Sequence, residues 1–447
     1  MINNYSNYVS YLIDKYNICS IIDLTNSIIS ANYHELVLNI SDSMLEFINS
    51  NLMQLIHNDL YDELEETTYN IYYTQLIEEP IACNIFGITK NNAINLLFNT
   101  IKLCQNLVFK FYIPRRSYEK THIIRDVSNN SINLTCNFNK LKIQINYLKN
   151  ILQAEQKSDA WYIFRRSTLT ASNIYKIFYS DYSQSQLIIE KSEPININKF
   201  KVSNLSSPLH WGQKYEPVSI LYYEYINNTK VEQFGCIPHS KYSYLAASPD
   251  GIVCDESSEL YGRMIEIKNV VSREIDGIPK MEYWIQMQLQ MEVCNLNECD
   301  FLETKFTEYL NEQEYIEDVS CKLYRGFIMQ FYHNNEVYYE YPPFTLNNIN
   351  SIEYDSWIAE QLQKNSSKTY VSNLYWKLEV ISCVLVLRNN LWFKNALPYI
   401  EIFWNNLVQE RDSGDYKQRL TTKQKLKRDH DKLTSDFPSN GCLINII

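Results

Sequence analysis

Asp250, Glu266 and Lys268 are the residues whose types and spacing could do chemistry. They lie in the stretch KYSYLAASPDGIVCDESSELYGRMIEIK, from Lys241 to Lys268. Tyr242, Tyr244 and Ala246 alternate with Ser243, Leu245 and Ala247, the period of a strand. Ser248-Pro249-Asp250-Gly251 breaks that run, as proline and glycine do. The chain resumes through Ile252 and Val253, turns in an acidic DESSEL and returns as Arg263 to Lys268. On the returning strand Met264, Glu266 and Lys268 share one face, and Ile265 and Ile267 the other. Glu266 and Lys268 therefore stand side by side on a scaffold backed by core. Asp250 leaves the preceding strand within reach of them.

These residue types suit metal-assisted cleavage of a phosphodiester. Mg²⁺, or Mn²⁺ in its place, takes oxygen ligands, and two acids with a backbone carbonyl such as that of Ile267 supply them. A bound ion lowers the pKa of water and offsets charge developing on the phosphate. A lysine beside the acids can hold the attacking water. A single Glu-x-Lys on a strand is usually an exposed charge pair. SPDG followed through a short hairpin by an apolar-flanked EIK favours the nuclease reading.

Other elements must position and complete such a site. Upstream, Trp161, Arg165, Arg166 and Thr170-Ala171-Ser172 precede a short helical pattern over Ile174 to Phe178. Thr170 or Ser172 suits its N-cap. A helix N-terminus with a hydroxyl and arginines binds phosphate, although a cap alone is only a cap. His210-Trp211-Gly212 opens a helix running to Ile226, with Pro217 expected in its first turn. That places Glu216 at the helix mouth, either as an acid favoured by the dipole or as a third carboxylate facing Asp250 and Glu266. Downstream, a helix is expected from Met281 to Cys294, with Trp284, Met287, Met291 and Cys294 as its apolar stripe. Gln286 and Gln290 lie on another stripe, one turn apart. Strands at 301–306, 323–332 and 337–341 complete an α+β pattern, a mixed sheet flanked by helices.

The flanks read differently. Residues 1–110 are mostly helical, with a stripe of Leu36, Ile40, Met44, Phe47 and Ile48, and His57 and Asp59 as a surface pair. The segment from Phe109 to Lys120 reads as extended, and Arg115, Arg116 and Lys120 among its aromatics suit nucleic-acid phosphates and bases; an exposed basic loop is the alternative. Asn129 to Asn139 reads as a linker, and 140–154 as a helix. Ser180 to Ser207 reads as a polar surface loop. Beyond Pro343 the pattern is helical at 352–362, 374–388 and 397–408, and the tail carries Arg419, Lys423, Lys425, Lys427 and Arg428. The expected division is a helical region at 1–138, a catalytic domain at 139–345 and a helical region with a basic tail at 346–447.

Composition narrows the class. With 52 acidic against 41 basic residues and a net charge of −11, the chain is no general polyanion coat, though a local basic groove remains compatible. Nine glycines and twelve prolines argue against a disordered or linker-rich chain. Eleven cysteines without a C-x-x-C read as reduced thiols rather than zinc or disulfide sites. The N-terminus lacks a basic signal-peptide region, and no apolar run reaches membrane-spanning length. The expectation is an intracellular, membrane-free protein.

Taken in order, the motifs resemble the phage lambda exonuclease and YqaJ-type viral recombinase family of PD-(D/E)xK nucleases, from about Gln153 to Phe306. Trp161 with Arg165 and Thr170-Ala171-Ser172 resembles the opening motif, and Gly212 with Glu216-Pro217 the next. Ser248-Pro249-Asp250-Gly251 and Glu266-Ile267-Lys268 resemble the core, and the helix bearing Gln286 the last. The resemblance implies a restriction-endonuclease-like mixed sheet. It implies Mg²⁺ held by Asp250, Glu266 and the Ile267 carbonyl, with Glu216 at a second ion. Lys268 would position the nucleophilic water, Gln286 would support the site, and Arg165 and Ser172 would hold a 5′-terminal phosphate. The implied activity is degradation of one strand of duplex DNA from a 5′ end, beside a single-strand annealing protein and in a homo-oligomer. The Asn- and Tyr-rich composition resembles a large DNA virus, so the host cytoplasm at a replication site, or the virion, is the expected location. The family often has Cys-Pro after its lysine; Asn269-Val270 stand here. A structure-specific endonuclease or resolvase on the same fold, and a catalytically silent DNA-binding protein, remain open alternatives.

Overall fold

The computed structural model describes residues 2–119, 131–194 and 205–419, apart from Asn58, Lys157, Ser206, Ser320, Lys322, Leu323, Asn335 and Asn347. The N-terminal region folds as helices, as expected: α1 (Ile2–Lys15), α2 (Ser27–Ser50), α3 (Leu60–Tyr73), α4 (Ile81–Phe86) and α5 (Lys90–Phe111). Asn26 caps α2 by accepting from the Ile28 and Ile29 N–H groups, and Thr89 caps α5. Tyr33, Val37, Ile40, Met44 and Ile48 form the buried face of α2.

The segment expected to be extended and basic after residue 109 is helical to Phe111 and then forms the short strand β1 (Tyr118–Glu119). Arg116 is buried, not presented on a loop. Its Nε donates to the Pro279 carbonyl and its Nη1 to the Ile56 carbonyl, at 2.7 and 2.5 Å. Lys120 lies outside the described residues. So does the start of the expected linker at 129–139, and from Ser131 the chain is helix α6 (Ser131–Asn150). The polar loop expected at 180–207 is in part helix α8 (Asp181–Ser192), following α7 (Asp159–Ser167). Ser180 caps α8, and Leu187, Ile188 and Ile189 are buried, so three consecutive apolar residues anchor an otherwise polar helix.

The remaining strands are β2 (Leu169–Thr170), β3 (Val231–Glu232), β4 (Ile237–Pro238), β5 (Leu245–Ala247), β6 (Gly251–Val253), β7 (Met264–Asn269), β8 (Glu298–Glu308), β9 (Arg325–His333), β10 (Glu336–Glu340) and β11 (Thr369–Leu387). The main sheet runs β10-β9-β11-β8-β7-β6-β3, with β1 on β11; β2, β5 and β4 form a small second sheet. β6 and β7 are antiparallel, whereas β7 and β8 are parallel. A parallel pair needs a crossover, and helix α10 (Met281–Cys294) provides it; helix α9 (Pro208–Asn227) also packs on β7. This is the mixed α+β sheet with flanking helices read from the sequence.

The clearest correction concerns residues 374–388, expected to be helical. They belong to β11, a 19-residue strand that pairs with β9 along its first half and with β8 along its second. The main sheet therefore continues past residue 345. Helices α11 (Glu312–Glu317), α12 (Ile352–Lys364) and α13 (Asn390–Ser413) complete the described fold. Of the basic tail, Arg419 is within the described residues and pairs with Glu410; Lys423, Lys425, Lys427 and Arg428 lie outside them.

Candidate active site

Three of the expected residues sit on β7 itself. Strand geometry points Glu266 and Lys268 to one face, and α10 packs over it. Glu266 is completely buried. Its Oε1 accepts from the Lys268 ammonium and, at 2.8 Å, from Gln286 Nε2. Its Oε2 accepts from Gln290 Nε2 at 2.7 Å. A carboxylate buried at this depth is tolerable only when paired and hydrogen-bonded, and here three donors from two elements do both. In the sequence, Gln290 stands out only as a neighbour of Gln286 on a helical stripe. It is fully buried, holds the second oxygen of Glu266, and lies 3.4 Å from the Ser248 carbonyl. The i, i+4 spacing of two glutamines facing one acid was its available signal.

Asp250 arrives from the turn before β6. Its Oδ2 accepts from the Ile267 N–H at 2.7 Å. The register explains this contact. Ile265 pairs with Gly251 at the start of β6, so two residues further along β7 the backbone faces that side with no strand left to pair. Asp250 takes the N–H of Ile267, and the Ile267 carbonyl points from the same edge. Gly251 leaves room here for the Val231 side chain, whose Cγ1 a Cβ would meet at 2.2 Å.

Glu216 reaches the site by a route different from the expected one. Helix α9 begins at Pro208 with Ser207 as its cap, so Pro217 is in the helix interior and Glu216 is not at its mouth. Its charge nevertheless acts on Asp250. Burial, and then the charges of Glu266 and Glu216, push the Asp250 carboxyl well above the usual carboxylate range, against the opposing pull of Lys268 and the Ile267 N–H. For Lys268, burial works against the charged form, but Glu266 and Asp250 overcome it and hold the ammonium above the usual lysine range. Lys268 also sits 5.0 Å from the centre of the Tyr283 ring.

Asn269 locks the arrangement. Its Oδ1 accepts from Ser219 Oγ and Thr304 Oγ1, both at 2.7 Å, and its Nδ2 donates to the Gly212 carbonyl at 3.0 Å. This ties α9, which carries Glu216, to β7 and β8.

Arg165 and Ser172 are brought together: Nη2 of the half-buried Arg165 donates to Oγ of the exposed Ser172 at 2.8 Å. The guanidinium lies 4.3 Å from the Trp161 ring centre, and Trp161 Nε1 donates to Ser248 Oγ at 3.3 Å. Burial lowers the Arg165 pKa from its ordinary value, but a guanidinium remains charged at neutral pH. The expected cap does not form. Ile174–Ile177 is a single 3₁₀ turn preceded by Asn173, whose Oδ1 accepts from the Thr170 N–H.

The donor chemistry fits a hard divalent cation: Glu266 and Asp250 act on one ammonium, and Asp250, raised first by burial, also feels the charges of Glu266 and Glu216. Among the described residues, however, no group of three or more His, Cys, Asp or Glu side chains is gathered closely enough to hold an ion. The Lys268 ammonium occupies Glu266 instead.

Comparison with known proteins finds one family model that matches part of the chain. Residues 160–297 match the YqaJ-like viral recombinase domain. The matched segment holds Arg165, Ser172, Glu216, Asp250, the Glu266–Lys268 strand and both glutamines of α10. An uncharacterized protein of Acanthamoeba polyphaga mimivirus is 28% identical over 362 residues, covering 71% of this chain and 61% of that protein. The chain thus spans less than two thirds of the length of this curated relative, and the expectation of a viral relative is met. Among solved structures, an alkaline exonuclease from Laribacter hongkongensis aligns at 18% identity, over 62% of this chain and 100% of that one, with a TM-score of 0.33. Among the described residues no helix is long and apolar enough to cross a membrane.

Proposed function

We propose that this chain is a Mg²⁺-dependent deoxyribonuclease that hydrolyses phosphodiester bonds of duplex DNA from 5′ ends, in viral DNA recombination, repair or genome processing. The observation that carries this reading is the buried Glu266, gripped by Lys268, Gln286 and Gln290 and joined electrostatically to Asp250 and Glu216. Acid excess beside a single ammonium is a poor structural device, because like charges raise one another's energy. It is a good device for a cation.

Asp250, Glu266 and the Ile267 carbonyl would hold Mg²⁺, or Mn²⁺ in its place, with Glu216 contributing at a second ion. When bound, the metal supplies neutralising charge at the scissile phosphate and makes water more acidic. Lys268 stays protonated at neutral pH, so its role is to orient the attacking water and stabilise developing negative charge, not to act as a base. Gln286 and Gln290 fix the Glu266 carboxylate, limiting rotamer loss at each turnover. Arg165 and Ser172 would engage a 5′-terminal phosphate through a charge-assisted hydrogen bond. A single-strand annealing partner and a homo-oligomeric state are parts of the same proposal.

The test incubates the purified protein with linear 5′-phosphorylated duplex and with closed and nicked circles, in Mg²⁺ or EDTA. Mg²⁺-dependent loss of linear DNA alone supports the exonuclease. Cleavage of closed circles replaces it with an endonuclease, and shifted but intact DNA replaces it with a silent binder.

A further inference from the structure

Arg116 poses a question that the carboxylate site does not answer. Its guanidinium is buried, with the residue only 4% exposed. Two of its nitrogens donate to backbone carbonyls, those of Pro279 and Ile56. The third, Nη2, has no hydrogen-bond partner, and the Trp284 ring centre lies 5.7 Å from the guanidinium. The carboxylate of Glu282 is felt only as a favourable charge, and burial brings the Arg116 pKa down to about 10. A buried cation left this way is costly, and two neutral carbonyls do not balance its charge.

The same residue lines a cavity of about 540 Å³ together with Ile56, His57, Asp59, Phe178, Tyr179, Lys280 and Met281. Lys280 is the N-cap of α10, and no side chain caps that 14-residue helix. The positive end of the α10 dipole and its unpaired N–H groups therefore open beside Arg116. Tyr179 is 65% exposed, so an aromatic face is available at the same place. Asp59 is the acid on the lining. Arg116 also lines a second cavity, of about 290 Å³, with Arg115, Asp62 and Glu65, where two acids offset the two guanidinium groups.

We infer that this cavity binds a phosphate-bearing nucleotide unit, with the phosphate on Arg116, Lys280 and the α10 N-terminus and the base against Tyr179. Arginine forks and helix N-termini are both phosphate-binding devices, and aromatic rings stack bases without sequence preference. The volume suits a ligand of this size. The unit comes either from a free mononucleotide or from a nucleic-acid strand crossing the junction. The site gives the N-terminal helical region a role, because Ile56 and Arg116 come from that region while Lys280 and Met281 belong to the helix that grips Glu266. It does not depend on the nuclease reading, since binding without cleavage defines it.

The experiment is calorimetric titration of the full chain in EDTA with inorganic phosphate, dTMP and a short single-stranded oligonucleotide. The variants are Arg116→Gln, Lys280→Gln, Tyr179→Ala and, as a control at the other cationic site, Arg165→Gln. Lys280 and Tyr179 are exposed, so their variants test the site even where Arg116→Gln fails to fold. Arg116→Gln is expected to weaken phosphate and dTMP binding about tenfold or more. Tyr179→Ala should weaken dTMP while sparing inorganic phosphate. A strand ligand predicts that Lys280→Gln lowers the slope of log affinity against log salt by about 0.7 for the oligonucleotide. A free nucleotide predicts loss of dTMP binding with that slope unchanged. The proposal is overturned if neither dTMP nor the oligonucleotide binds, or if only Arg165→Gln weakens them.

Discussion

The carboxylate site on β7 and the arginine site on α7 are built on opposite principles. Glu266 is wholly buried and held by three donors. Arg165, half-buried, and Ser172, exposed, meet through one hydrogen bond. The buried site is already organised around its acid, so a change there alters charge in a low-dielectric setting, where each missing partner is felt strongly. The open site can exchange its internal bond for a ligand at little cost. On the proposed function the contrast separates two tasks, making the chemistry and recognising an end, and substitutions should separate them too.

Glu266→Gln should have the largest effect. It keeps shape but removes the charge and sets an amide among three donors. Activity in Mg²⁺ should fall by about a thousandfold or more, while binding of duplex in EDTA is retained. Retained cleavage in a single-turnover assay would break the assignment. Asp250→Asn should reduce activity to a similar degree but move stability the other way. The sign follows from the raised carboxyl: the folded state binds the proton more tightly than the unfolded chain does. Stability without metal therefore declines as pH rises from the unfolded value toward the raised one. The amide in place of Asp250 would keep an acceptor for Ile267 and remove that loss, raising stability at neutral pH by about 1–2 kcal/mol. Thermal melts in EDTA across pH check this; a variant less stable than the wild type at neutral pH would mean that the charge cluster is already balanced.

Arg165→Gln comes next. Loss of one charge-assisted contact should slow digestion of 5′-phosphorylated ends about tenfold to a hundredfold. Ends carrying a 5′-hydroxyl should be little affected. An equal loss on both ends would make Arg165 a general backbone contact and blur the division between the two sites.

Much of this division is legible in the sequence because it depends on short-range rules. Strand alternation puts Glu266 and Lys268 on one face, and the helical stripe puts Gln286 and Gln290 together. What fails depends on tertiary pairing. β11 reads as a helix because its apolar residues do not alternate cleanly. The register shifts between Tyr370 and Ser372 and again between Leu378 and Val380, which breaks the period of two. Many of the strand's residues are half-buried, so no clean alternation of buried and exposed positions marks it either. Its richness in Val, Ile, Tyr and Trp is the signal for a strand. Arg116 reads as exposed because it sits among basic and aromatic residues, and nothing local reveals that the carbonyls of Ile56 and Pro279 enclose it. The charge of Glu216 acts on Asp250 even though the expected helix start is wrong, since Pro208, not Pro217, occupies the first turn.

Asn269→Ala should have the smallest effect and tests whether the buried site is rigid by itself or by its neighbours. The substitution leaves Ser219 and Thr304 bonded to each other at 3.1 Å, so neither hydroxyl is orphaned. The ties from Asn269 to α9 and to Thr304 on β8 are lost, at a cost of about 1–2 kcal/mol in stability. If Glu216 is positioned through the tie to α9, activity should drop severalfold, with a higher Mg²⁺ requirement and unchanged DNA binding. Asn269→Asp discriminates further: it keeps both hydroxyl donors but cannot donate to the Gly212 carbonyl, and it adds a fourth acid. An unchanged Mg²⁺ requirement in both variants would mean that packing along α9, not this hydrogen bond, sets the position of Glu216.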